Sequence, residues 1–212
     1  MKNKIAIAAM SGILVTSLVG LKAYADTRTN VQNPDGSVST SVSETQYGTS
    51  KEATQSEIEN KFLNDSYKFS MGPKYIEFDH KVDYKAGEES SAKEGLKNAS
   101  DFLNELTKNG TDFSAVKSLQ ENEEWTKFVE NISNLKYNVF EKSEVLNDLN
   151  NAGALILQAE GHYDEPSLQL LYKLVSELEA GVNGKSVDAE LTRTFGKEVK
   201  NQIVYKHLQS KL

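Results

Sequence analysis

From Ser143 onward the apolar residues form two runs with the period of a helix. Val145, Leu146, Leu149, Ala152, Leu155, Ile156 and Ala159 recur at spacings of three and four, which places them along one helical face. Gly161 closes this run. The polar break His162-Tyr163-Asp164-Glu165-Pro166 separates it from Leu168, Leu170, Leu171, Leu174, Val175 and Leu178, which stop at Asn183-Gly184. The pattern predicts an antiparallel helical hairpin. Small residues interrupt the first helix at Ala152-Gly153-Ala154. A glycine there costs about 1 kcal/mol of helix propensity against alanine, so it predicts close approach of another backbone. On this reading Gly153→Leu overpacks, while Gly153→Ala is neutral or helpful.

Upstream, Thr54 and Glu57 have the spacing of a capping box ahead of Ile58, Phe62 and Leu63, which predicts a short first helix. The period then changes to two. Tyr67, Phe69 and Met71 precede Gly72-Pro73, and Ile76, Phe78, His80, Val82 and Tyr84 alternate with Glu77, Asp79, Lys81, Asp83 and Lys85. This predicts a small antiparallel β element with one charged face in water. Beyond Gly87 the helical period returns. Ser91 and Glu94 form a second capping box for Ala92, Leu96, Ala99, Leu103 and Leu106, with Asn109-Gly110 as the stop. Asp112 caps Phe113, Val116 and Leu119, and Glu121-Asn122-Glu123-Glu124 shifts the phase before Trp125, Phe128, Val129, Ile132 and Leu135, predicting one bent helix or two. A last helix is predicted from Ser186, burying Leu191, Phe195, Val199 and Ile203, with Asp188 and Glu190 at the positive end of its dipole. The fold class is therefore mainly α: a bundle-like domain of five or six helices over residues 57–212, with the small β element near its N-terminal side.

Residues 26–56 are polar and rich in Ser and Thr, too poor in apolar surface to offset the entropy of ordering. They read as a linker. The alternative is a marginal hairpin, because two alternating stretches around Val31 and Val38 flank the turn-forming Asn33-Pro34-Asp35-Gly36. Before them, Lys2 and Lys4, the apolar run Ile5 to Leu21 and the small-x-small site Ala23-Tyr24-Ala25 have the layout of a secretory signal peptide over residues 1–25. Cleavage after Ala25 would start the mature chain at Asp26 and place the protein outside the cell, secreted or loosely held at the surface. An uncleaved anchor is the other reading. No later apolar run is long enough to span a bilayer.

Composition refines this picture. The formal net charge of −7 argues against nucleic acid or anionic membrane as the main partner. The chain has no cysteine, so an exported domain of this kind must hold itself together by packing alone. Lysine greatly outnumbers arginine, which occurs only as Arg28 and Arg193; with the abundant asparagine, this bias points to a low-GC, Gram-positive bacterium.

Two clusters carry candidate chemistry. Glu77, Asp79, His80 and Asp83 suit a hard cation or zinc by residue type. Strand alternation, however, puts His80 opposite the three acids and sets Lys81 among them, so a solvated charged face is the better account. His162, in the polar break between the most apolar helices, is the one candidate catalytic residue, although helix capping by Asp164 or Glu165 with Pro166 explains most of that loop. Trp125, Tyr67, Tyr75, Tyr84 and Tyr137 could form an aromatic ligand surface, but Trp125 and Tyr84 fall at core-facing phases. No phosphate-cradling glycine loop, calcium loop or nucleophile elbow is present, and no cofactor is implied. The function expected is that of a non-catalytic binding protein of the bacterial surface, with a protein or cell-wall component as partner. A secreted hydrolase or metal-dependent enzyme, and an antimicrobial or toxin precursor, are the alternatives.

Overall fold

The computed structural model describes residues 31–32, 38–39, 54–71, 76–196 and 202–211. The signal-like segment 1–25, most of the polar stretch 26–56, the Gly72-Pro73 turn, Tyr75 and Val199 lie outside the described residues. The chain divides into two units, Met1–Ser50 and Lys51–Leu212. In the first, β1 (Val31–Gln32) pairs antiparallel with β2 (Val38–Ser39), matching Val31 to Ser39 and Gln32 to Val38.

The second unit is mainly helical. Its α-helices are α1 (Gln55–Met71), α2 (Glu89–Leu106), α3 (Glu123–Asn134), α4 (Val145–His162), α5 (Glu165–Val182) and α6 (Gln202–Gln209). A 3-10 segment, Ser114–Glu121, precedes α3, and a π turn, Leu135–Val139, follows it. The core is organised around α4, whose residues Asn147 to Ile156 are all buried. A helix covered on every side needs neighbours all round; α1 and α5 supply most of the cover, with α3, the 3-10 segment and α6. Gly153 lets α1 come close: a β-carbon there would lie 2.2 Å from Ser66 Oγ and 2.7 Å from Phe62 Cζ. The close approach is made by side chains of α1 rather than by the backbone expected, and it leaves no room even for alanine, so the expectation that Gly153→Ala is harmless is overturned.

The hairpin of α4 and α5 forms as the periodicity predicts. Helix α4 runs one residue past Gly161 and is closed by Tyr163 in the left-handed region (φ 53°). Asp164 caps α5 by accepting from the Ser167 amide at 3.0 Å. The stretch from Asp112 to Leu135 resolves into two pieces, and Asn122 caps α3 by accepting from the amides of Glu124 and Trp125. Helix α2 begins at Glu89, two residues before the predicted box. There the turn at Gly87 (φ +84°) sets its start, with the Glu88 amide donating to Lys85 O.

Among the described residues, the β element expected over residues 67–84 is not seen. Helix α1 continues through Tyr67 to Met71, since Phe62 and Ser66 anchor its middle on α4 and each further residue adds a helical hydrogen bond. Among the described residues, 76–84 have no partner strand apart from the single bridge Tyr84 to Phe140. Their backbone groups are instead satisfied at the start of α4. The carbonyls of His80 and Lys81 accept from the amides of Glu144 and Val145, the Phe78 amide donates to Glu144 Oε1, and the Asn147 side chain bonds both backbone groups of Ile76.

Among the described residues, the helix predicted from Ser186 is not seen either. Residues 185–196 form an irregular strap, and α6 starts only at Gln202, with Val204 buried and Ile203 46% exposed. The reason is chemical. Glu177 on α5 accepts from the amides of Glu190, Leu191 and Thr192, each at 2.9 Å. Asp148 on α4 accepts from the amides of Arg193 at 2.7 Å and Thr194 at 3.0 Å, and from the Thr194 hydroxyl at 2.6 Å. Five successive amides are thereby held by buried side chains, leaving none of them for a helical ladder. Phe195 completes the seat by lying against Gly181, where a β-carbon would meet its ring at 2.4 Å.

Candidate functional site

The sequence-level metal candidates do not converge. Glu77, Asp79 and His80 are exposed and Asp83 is half-buried. His80 is therefore not the partly buried sheet-edge residue that strand alternation implies. Among the described residues no group of three His, Asp or Glu side chains is arranged to hold a metal ion. His162 is exposed at the last position of α4.

The same turn nevertheless carries a serine, a histidine and an aspartate in contact. Ser167 Oγ donates to Asp164 Oδ2 at 2.6 Å and lies 2.7 Å from Nε2 of His207, which reaches over from α6; that nitrogen is 3.1 Å from Asp164 Oδ2. A catalytic triad needs serine and carboxylate on opposite ring nitrogens. Here both lie at Nε2, the serine proton already faces the carboxylate, and Ser167 is fully buried. Lys211 Nζ closes the group at 2.7 Å from Asp164 Oδ1. Burial pushes the Asp164 carboxyl up, but Lys211 and Ser167 outweigh it and hold it below its usual range. The chemistry is that of a clamp fastening α6 to the α4–α5 turn. Only the capping role of Asp164 was visible in the sequence, because His207 is forty residues away from Ser167.

A second ionisable group joins α1 to the π turn. Tyr137 Oη donates to Asp65 Oδ2 at 2.6 Å, Lys61 Nζ lies 3.2 Å from that oxygen, and Lys136 Nζ sits 4.8 Å from the Tyr137 ring centroid. Burial lowers the Lys136 ammonium to about 8, opposed by Asp65, and the tyrosine is raised by burial and by Asp65. These contacts also tie elements together.

In the strap, burial pushes the Asp148 carboxyl up to about 6 against the pull of the Thr194 hydroxyl and of the Arg193 and Thr194 amides. The folded protein thus holds a proton there more tightly than the unfolded chain, whose aspartates titrate near 3.8. The sign follows: this group's contribution is complete below about pH 4 and is lost as pH rises through about 6. Urea unfolding across that interval should show the wild type losing on the order of 2–3 kcal/mol relative to Asp148→Asn as pH rises. A pH-independent difference would contradict the assignment.

The remaining feature is a groove along the antiparallel seam of α2 and α3. At one end glycine draws the helices together: a β-carbon on Gly95 would be 2.9 Å from Leu135 Cδ2, and Asn131 Nδ2 donates to Gly95 O at 2.7 Å. Toward the other end three rings fill the seam. Phe102 of α2 stacks on Phe128 at 5.3 Å between centroids, and Trp125 lies 5.2 Å from Phe128 and 6.4 Å from Phe102. Trp125 is itself core, as its helical phase predicted, with its indole N–H donating to Glu160 Oε2 at 3.2 Å. Phe102 is half-buried, and it lines both of the adjoining hollows over this aromatic end, of about 340 and 460 Å³. Their rim is polar: Asn98, Asn131, Lys127 and Glu124 on one side, Asp101, Glu105 and Asn122 on the other. A ligand pocket commonly combines this volume with an apolar floor and a few polar groups. The sequence hinted at it only through Phe102, one position off the α2 core stripe. Comparisons with family models, curated proteins and solved structures find no match for the chain.

Proposed function

We propose that this protein is a non-catalytic binding protein, exported to the surface or surroundings of a Gram-positive bacterium, which engages a protein or cell-wall partner through the α2–α3 groove. The observation that carries the reading is the half-buried Phe102 over an aromatic floor, set in a rim of amides and carboxylates. The other well-defined ionisable contacts fasten the fold: Glu177 and Asp148 bind the strap, and Asp164 and His207 bind α6. Export is supported by the basic, apolar and small-residue layout of residues 1–25. Among the described residues no helix is long and apolar enough to cross a membrane.

The test is retention of the purified chain on cell envelopes and culture-medium components, comparing wild type with Phe102→Asp. Retention should fall about tenfold in the variant while the helical circular dichroism is unchanged, and the intact mass of exported protein should correspond to a chain beginning at Asp26. Equal retention, or turnover of a wall substrate lost on mutating His162, would overturn the proposal.

A further inference from the structure

Resting on the binding reading above, we infer that the α2–α3 groove takes an arginine side chain presented by a partner protein. The argument is charge complementarity over an aromatic surface. The hollow bounded by Asp101, Phe102, Glu105, Leu106, Asn122 and Glu124 has three carboxylates and no cation in its lining. Its apolar walls, Phe102 and Leu106, are half-buried, whereas Asp101, Glu105 and Glu124 lie exposed around them. An aliphatic stem can lie along such walls while its charged head reaches the rim. A guanidinium fits better than an ammonium, because it is planar, stacks on a ring and pairs with carboxylates through two parallel hydrogen bonds.

Two rim carboxylates already have lysine partners, Asp101 with Lys97 and Glu124 with Lys127 at 2.7 Å. Both pairs are well exposed, with side chains 58–64% accessible. Pairs of this kind contribute little and exchange readily for another cation. Asn122 is held by its capping bonds to α3 and fixes the end of the hollow. The chain's net charge of −7 would steer a basic partner toward the protein and speed encounter.

The chain contains a single tryptophan, and its ring stands 6.4 Å from Phe102, so the protein carries its own probe. The experiment titrates the full chain with a tryptophan-free amphipathic peptide bearing one arginine beside a leucine, and with peptides having lysine, glutamine or glutamate in place of that arginine. Calorimetry and Trp125 emission are both recorded. Saturable binding in the order arginine, lysine, glutamine, glutamate is expected, weakening as salt rises. The combined variant Asp101→Asn, Glu105→Gln, Glu124→Gln should weaken the arginine peptide about tenfold and flatten its salt dependence, and Phe102→Ala should also weaken it about tenfold. Circular dichroism checks the fold of each variant. No saturable heat with the arginine peptide, or equal binding of the glutamate peptide, overturns the inference. If that happens while Phe102→Asp still loses envelope retention, the occupant is wrong and the binding reading survives. If retention is also insensitive to Phe102, both fall.

Discussion

Replacing Glu177 by alanine is expected to lower stability by about 3–5 kcal/mol, because three amides would lose their acceptor inside the protein. The carboxylate is nearly buried, and the amides of Glu190, Leu191 and Thr192 converge on it at 2.9 Å. Leu191, only 2% exposed, ties this part of the strap to the core and keeps these amides away from water. Glutamine keeps one carbonyl oxygen, and if that oxygen faces Leu191 and Thr192 only the Glu190 amide confronts a donor. The order of stability should therefore be glutamate, then glutamine, then alanine. Urea unfolding measures the ordering, and hydrogen exchange at residues 190–192 localises it. Unchanged exchange in Glu177→Ala would show that these amides do not depend on the carboxylate.

Gly153 is the second position where a small change should have a large effect. A methyl group there would lie 2.2 Å from Ser66 Oγ and 2.7 Å from both Ser66 Cβ and Phe62 Cζ, distances that force α1 away from α4. Overpacking of this kind costs about 1–3 kcal/mol, or on the order of 2–12 °C of melting temperature for a domain of this size, for alanine. Leucine should cost more. Pairing Gly153→Ala with Ser66→Gly should recover part of the loss, since it removes the Ser66 Cβ and Oγ that the new methyl group meets, and with them a buried hydroxyl without a hydrogen-bond partner. If the double variant melts no higher than Gly153→Ala alone, the clash with Ser66 is not what limits the site.

The elements that could be read from the sequence are those whose stabilising contacts repeat locally. The stripes of α2, α3, α4 and α5 are helical because a period of three to four residues can bury a face wherever the partner lies, and Asp164 and Asn109-Gly110 act on the adjacent backbone. The failures share a different cause. Alternation through Ile76, Phe78, His80, Val82 and Tyr84 looked like a strand, but its hydrogen-bond partners are the start of α4 and the Glu144 and Asn147 side chains, more than sixty positions away. Leu191 and Phe195 fall at helical spacing, yet the amides of residues 190–194 are taken by Glu177 and Asp148, acids indistinguishable in a string from any on a wet surface. The groove was hidden for the same reason. Phe102 lies beside the α2 stripe and Phe128 within the α3 stripe, and only the crossing of α2 and α3 sets one ring on the other.

The strap has a consequence for the order in which the protein can acquire its shape. Without residues 190–194, Glu177 and Asp148 lose the donors that satisfy them in the folded protein, so packing α4 against α5 would carry the cost of burying two acids without partners. A nascent or truncated chain ending near Lys185 should thus stay loose and open to proteases.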